Sequence, residues 1–231
     1  LSDGRHSYVC ARCGAQGVTS DPNVLGVDAG ERGQIETNYR SRAARTLWRR
    51  SASIQGTPAE RYLREGRAYQ GSLPPTLRYL PPNDGYPHSM IAALGNCPES
   101  APGELGLPRD SVAVHLTRLA PKGLARLDKR MLGPVSGNPI VLAPPNDGLG
   151  LVITEGIEDA LSLHEATGLG AWAAGSATHM AKLADAVPDY VSCVTLAQDD
   201  DAAGRTATNR LGAALVARGF EVRILSLAQA P

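Results

Sequence analysis

Aromatic side chains are nearly missing from this chain. Phe, Trp and Tyr make up 4% of 231 residues, with one Phe and two Trp. Its core must therefore be filled by Leu, Val, Ile and Ala, and a 42% hydrophobic content is enough for one large or two small domains. Cysteine is sparse as well. Cys10, Cys13, Cys97 and Cys193 do not make a disulfide framework in a chain of this length. No apolar run approaches the roughly 20 residues of a membrane-spanning helix, and no basic-then-apolar leader opens the sequence. The expectation is a soluble, cytoplasmic protein with no membrane partner. The chain starts on Leu rather than Met, which reads as a piece of a longer or processed protein.

Net charge is also missing, with 23 basic and 23 acidic residues, but the balance hides an asymmetry. Residues 1–150 carry 18 Lys and Arg against 13 Asp and Glu, a net of +5. Residues 151–231 carry 5 against 10, a net of −5. Such a division suggests a surface for a polyanion joined to one that binds cations.

What is present divides the chain into four stretches. Residues 1–20 include "YVCARCGAQG", a Cys-x-x-Cys knuckle followed by glycine, the turn used in half of a zinc ribbon. Tetrahedral zinc needs four ligands, so either a second pair lies upstream of Cys10 and Cys13, or the site is dead or redox-active. Residues 36–70 form a basic helical connector. "ETNYRSRAARTLWRR" predicts a helix over 36–50 whose arginines include Arg45, Arg49 and Arg50. "GTPAERYLREG" predicts a second helix, with Thr57 as N-cap, Pro58 at the first position, Glu60 completing a capping box and Gly66 ending it. Eight arginines oppose Glu60 and Glu65 over 40–67, which suits either phosphate contact or a solvated helix face.

Residues 71–148 are rich in Pro and Gly, with strand-like runs "SMIAALG", "SVAVHLTRLA" and "PIVLAPP". They read as a mixed, largely antiparallel α+β subdomain, with 96–110 as an excursion loop. Residues 149–231 change rhythm: "GLVIT", "AWAAG", "YVSCVTLA" and "FEVRILSL" alternate with three helical segments, the second being "SATHMAKLADAV". That alternation predicts βαβ units and a mostly parallel, four-stranded Rossmann-like α/β sheet. Ligands collect at the carboxyl ends of such strands.

Two of those strands end in acid. Glu155 follows the first, and Asp199, Asp200 and Asp201 follow the third. In extended chain, Asp199 and Asp201 share a side while Asp200 points away. Clustered carboxylates raise one another's pKa, a divalent cation resolves the repulsion, and all-oxygen ligands suit Mg²⁺ or Mn²⁺. Asp201 sits where the third helix starts, and helix capping accounts for one or two of the aspartates but says nothing of Glu155 at the matching point of another strand.

A Glu-Gly after the first strand, then Asp-x-Asp-x-x-Gly after the third, resembles the Toprim domain of bacterial-type primases, type IA and II topoisomerases and related nucleases. The matching residues are "TEGIEDAL" with Glu155, and "DDDAAGR" with Asp199, Asp201, Gly204 and Arg205. The order of zinc-ribbon remnant, Arg-rich connector, mixed subdomain with "HLTRL" and "KRMLGPVSG", then Toprim resembles phage- and plasmid-type primase or primase-helicase proteins. There are two departures. Gln198 stands where the commoner pattern has its first aspartate, so the register is anchored on Gly204. The sequence also stops soon after the fourth strand, leaving oligomerisation and helicase coupling open.

The resemblance implies a DNA primase-type nucleotidyltransferase from a phage or mobile element, acting on single-stranded DNA and nucleoside triphosphates. It implies Mg²⁺ (or Mn²⁺) on Asp199 and Asp201, with Asp200 in an outer shell and Glu155 as a ligand or general acid/base. Zn²⁺ would sit in the full-length protein, and a replicative helicase is the implied partner. Lys129, Arg130 and Arg118 are candidates for template or triphosphate contact, with His115 beside them, and Arg45, Arg49 and Arg50 for nucleic acid. The alternatives are a Toprim nuclease and a non-catalytic DNA-binding Toprim scaffold.

Overall fold

The computed structural model describes residues 6–9, 16–19, 29–83, 85–106, 108, 111–145 and 148–227. The chain forms two compact units, 1–39 and 40–231, dividing inside a helix. In the first unit, β1 (His6–Val9) pairs antiparallel with β2 (Gln16–Thr19), from His6 opposite Thr19 to Val9 opposite Gln16. Cys10 and Cys13 lie outside the described residues.

The expected basic helix is longer than its sequence signal: α1 spans Ala29–Arg50. Ala44 and Trp48, one turn apart, are buried against Ile91, Ala93 and Val114. Arg45, Arg49 and Arg50 occupy the exposed part of the same turns. β3 (Ala52–Ser53) then leads into α2 (Pro58–Arg64). Thr57 caps α2 by accepting from the Glu60 N–H at 3.4 Å. The Glu60 carboxylate reaches back one residue beyond the capping-box position, to the Gly56 N–H at 2.7 Å.

An antiparallel sheet follows, built from β4 (Leu77–Leu80) and β5 (Ser89–Leu94), then, after the hairpin β6 (Glu99–Ala101) and β7 (Glu104–Leu105), β8 (Ala113–Leu119) and β9 (Arg126–Leu132). Its order is β3-β4-β5-β8-β9. The segment expected to be an excursion loop thus contains the β6–β7 hairpin. β9 carries no alternating apolar signal, because Arg126, Asp128, Lys129 and Arg130 fill most of it, and its pairing to β8 makes it a strand.

The second sheet departs from expectation in strand number. β10 (Ile140–Ala143), β11 (Gly150–Thr154), β12 (Gly170–Ala173), β13 (Cys193–Asp199) and β14 (Glu221–Leu227) lie in the order β10-β12-β11-β13-β14. Four strands are parallel, as expected, and β10 adds a fifth, antiparallel to β12. β10 belongs by sequence to the stretch assigned to the mixed subdomain. Its four residues are all buried, and an edge of the parallel sheet is where they find cover.

Helix α3 (Ile157–Thr167) ends at Gly168, which is left-handed at φ 67°. It packs through Ile157, Ala160 and Leu161 on one face of this sheet. Helix α5 (Ala202–Ala217) packs through Ala207, Leu211 and Leu215 on the other. The full helix expected over "SATHMAKLADAV" shrinks to α4 (Ala177–Met180) and a 3-10 turn, Ala184–Ala186. Hydrogen bonds reaching back three residues tighten the chain there, as in Leu183 N–H to Met180 and Ala186 N–H to Leu183. One hydrophobic cluster joins Tyr62 and Leu63 of α2, Leu77, Met90 and Leu119 of the antiparallel sheet, and Val152 and Leu161 of the β11–α3 unit, so the two sheets share a core.

Candidate functional site

The connection from β11 runs to β12 on one side, and that from β13 runs to β14 on the other. β11 and β13 are therefore neighbours at the point where the chain reverses its direction of winding, which is where open α/β sheets leave a crevice. Glu155 follows the last residue of β11, and Asp199 is the last residue of β13. Side by side in parallel register, the two strands bring the two acids to one edge.

Backbone bonds hold the β11 end in place. The N–H groups of Ala174 and Gly175 donate to the carbonyls of Thr154 (2.9 Å) and Glu155 (2.8 Å). The Glu155 carboxylate accepts from the Ala177 N–H. In the same loop, the Ser176 hydroxyl and His179 Nδ1 are 2.6 Å apart.

The three aspartates separate by role. Asp199 is half-buried, while Asp200 and Asp201 are exposed. Asp201 is the N-cap of α5, its Oδ1 accepting from the Gly204 N–H at 2.6 Å. Asp200 pairs with Arg205 at 2.9 Å, which takes it away from the other two. The glycine of the motif has a steric reason: a Cβ on Gly204 would lie 2.9 Å from both the Cβ and the carbonyl oxygen of Asp199. Any side chain there would push the first turn of α5 off the end of β13.

Electrostatics show that these carboxylates sense one another. Burial, then the charges of Asp199 and Asp201, raise the pKa of Glu155 above the usual carboxylate range. Burial, then Asp201, does the same to Asp199. Two further acids, not assigned to the site from sequence, face this cluster from the first turn of α3. Asp159 is raised by burial, by Glu158 and by Asp199. Glu158 is largely buried, which works to raise it, but the Tyr62 hydroxyl, Lys129 and Arg126 outweigh burial and its pKa is lowered. Tyr62 donates to Glu158 at 2.5 Å and accepts from Arg67 Nε at 3.0 Å, while Arg126 stands 3.7 Å from the same carboxylate. Burial and the neighbouring carboxylate push Tyr62 up to about 12. Asp159 lies in the first turn of α3, where an acid is also what the helix dipole favours. Tyr62 lies 96 residues from Glu158 and left no sequence signal.

Of the basic residues singled out by sequence, Lys129 alone reaches the acidic edge. Its charge acts on Glu155, Glu158, Asp159 and Asp199. Arg118 and Arg130 point the other way. Strand alternation puts them, with Asp128, Val114 and Leu132, on the sheet face covered by α1. Arg118 makes a bidentate pair with Asp128 there, and Arg130 lies 3.9 Å from the same carboxylate. His115 shares the Lys129 face and is buried, and its pKa is lowered to about 4, first by burial and then by Lys129.

The donor set is all carboxylate oxygen, which fits Mg²⁺ or Mn²⁺ in chemistry, and the raised pKa values of Glu155 and Asp199 are what crowded carboxylates show without a neutralising cation. Among the described residues, however, no group of three or more His, Cys, Asp or Glu is arranged to hold a metal ion. The Asp201 cap and the Ala177 bond to Glu155 account for part of that: both carboxylates are engaged by backbone N–H groups.

Residues 150–230 match the Toprim domain family. This part of the chain is a Toprim domain. Residues 38–142, ahead of the Toprim domain, match a domain of unknown function (DUF7146). No curated protein matches the chain. Among solved structures it is similar to the primase fragment of the bacteriophage T7 primase-helicase protein, at 18% identity and TM-score 0.43 over 65% of this chain. It is also similar to a DNA primase domain from Pseudomonas aeruginosa, at 15% identity and TM-score 0.43 over 91% of this chain. The chain spans 57% and 56% of those two structures' own lengths. No helix among the described residues is long and apolar enough to cross a membrane.

Proposed function

We propose that the protein is a DNA primase-type nucleotidyltransferase that makes short primers on single-stranded DNA. The observation that carries this reading is the convergence of Glu155 with Asp199 and Asp201 at the reversal point of a Toprim sheet. Asp199 and Asp201 would hold a divalent cation, Mg²⁺ or Mn²⁺, with Asp159 close by and Asp200 outside. When bound, it would supply activation of the attacking oxygen and neutralisation of the departing pyrophosphate. Glu155, whose raised pKa brings it nearer to working pH, is a further ligand or takes the proton from the attacking 3′ hydroxyl. Lys129 meets the triphosphate.

Arg118 and Arg130 lie on the α1 side of the antiparallel sheet. With Arg45, Arg49 and Arg50 they are assigned to the template backbone, where Arg suits phosphate. Cys10 and Cys13 are assigned to a Zn²⁺ site, and a replicative helicase to the role of partner.

Incubating full-length protein with single-stranded DNA, nucleoside triphosphates and Mg²⁺ or Mn²⁺ separates the readings. New short oligonucleotides support the primase. Template cutting without synthesis replaces it by a nuclease using the same acids, and DNA binding with neither activity leaves a scaffold.

A further inference from the structure

The carboxyl end of β13 carries the acids, and the segment leading into its amino end borders a cavity of about 310 Å³. Pro188 and Tyr190 come from that segment, and Pro144 and Pro145 from the one that follows β10. The second pair rests on the first residue of β12. A Cβ on Gly170 would lie 2.6 Å from the Pro144 carbonyl oxygen and from Cα of Pro145, so glycine lets that wall close on the strand. Pro98 adds a third side at the base of the β6–β7 hairpin. There the Gly106 N–H donates to the Pro98 carbonyl and the Cys97 thiol to the Gly106 carbonyl, both at 2.9 Å. Trp172, 3% exposed, is the deep wall, and Tyr190, 57% exposed, is the rim. The Trp172 indole N–H is buried with no hydrogen-bond partner, although buried donors are nearly always paired.

An orphaned donor among prolines and aromatic rings suits an apolar ligand that carries an acceptor. Among the described residues that line the cavity there is no Lys or Arg. Glu99 brings a carboxylate instead, fixed by accepting from the Gly103 N–H at 2.9 Å. Phosphates would be repelled there, which disfavours a nucleotide. A proline-bearing peptide in polyproline II conformation meets each condition. Its rings are apolar, and it makes no internal hydrogen bonds, so its carbonyls are free to accept. Its stiffness reduces the entropy lost on binding. The Glu99 charge favours a basic residue beside the prolines.

We propose that this cavity docks a proline-bearing, basic segment of a partner protein. The Trp172 indole donates to a peptide carbonyl, a proline ring packs on Tyr190, and Glu99 meets the basic side chain. The site lies at the other end of β13 from the aspartates and does not depend on the chemistry assigned to them.

Nuclear magnetic resonance on the full chain tests this, because its two Trp give two indole N–H signals, which Trp172→Phe assigns. The probes are short polyproline peptides with arginine at either end, the same peptides with glutamate for arginine, a glycine-serine peptide of equal length, and ATP. The arginine peptides should shift the Trp172 signal and leave that of Trp48 in place. Tyr190→Ala and Glu99→Lys, both at exposed positions, should each weaken their binding by about fivefold to tenfold. Glu99→Lys should also turn the preference toward the glutamate peptides. A Trp172 signal unmoved by millimolar arginine peptide, an equal shift with the glycine-serine peptide, or affinity unchanged in both variants overturns the proposal. A shift with ATP and none with the peptides also overturns it and makes the cavity a nucleotide pocket.

Discussion

Asp199 is a residue held at a cost. Burial and the charge of Asp201 raise its pKa from the ordinary 3.8. A carboxyl raised in this way keeps its proton longer in the folded state than in the unfolded chain. Its contribution to stability is therefore full below 3.8 and is lost as pH rises through the folded value. At neutral pH the metal-free protein carries that loss. Replacing Asp199 by Asn should raise the melting temperature in EDTA at pH 7 by about 1–3 °C, modest because the group is partly solvated. The gain should vanish at pH 3.5, and Mg²⁺ should stabilise the unsubstituted protein more than the variant. An Asn variant less stable than its parent at pH 7 contradicts this electrostatic picture.

Glu155, Asp199 and Asp201 were legible in the sequence because each ends an apolar run, and parallel strands align their ends. Asp159 and Glu158 were not, because an acid in the first turn of a helix already has a sufficient explanation in the helix dipole. The face taken by Lys129, as against Arg118 and Arg130, depends on strand register, which an all-polar run such as "RLDKR" does not display.

Among the elements, α2 is tied to α3 by the hydrogen bond from Tyr62 to Glu158. Glu158 is a largely buried carboxylate, and the short bond from Tyr62, with Lys129 and Arg126 nearby, is what keeps it ionised there. Tyr62→Phe keeps the ring and removes that donor. It should cost about 1–3 kcal/mol in urea unfolding, and much less in a Glu158→Gln background, where no buried charge is left uncompensated. An equal cost in both backgrounds would mean that Tyr62 acts by packing alone.

Element types were readable where Gly and Pro bracket apolar runs, as at β11, α3, α5 and β14. β9 was hidden by its own charges. α4 reads as a longer helix by spacing, since Met180, Leu183, Ala184 and Val187 repeat with helical period and are all buried. The chain buries the same four residues through tighter turns, so the pattern reported burial correctly and backbone type incorrectly.

At the scale of the molecule, what the sequence could not show is adjacency. β10 joins the parallel sheet across 30 residues to reach β12, and that pairing fuses two regions that read as separate subdomains. The shared core is how Lys129, on the edge strand β9 of one sheet, comes to face carboxylates at the end of another. The charge asymmetry of the sequence reappears there as a site: acids from the Toprim domain, and lysine and arginine from the region before it.

The central claim, that this site performs nucleotidyl transfer, is tested most directly by primer synthesis with Asp201→Asn in the full-length protein. Asn caps a helix as well as Asp does, so this change keeps the bond to Gly204 and removes the negative charge. With Glu155→Gln alongside, melting temperatures should match the parent within about 2 °C. Primer synthesis in Mg²⁺ or Mn²⁺ should fall by at least about 100-fold in both, as expected when a metal-holding or proton-accepting carboxylate is lost. Full activity in either variant contradicts the assignment.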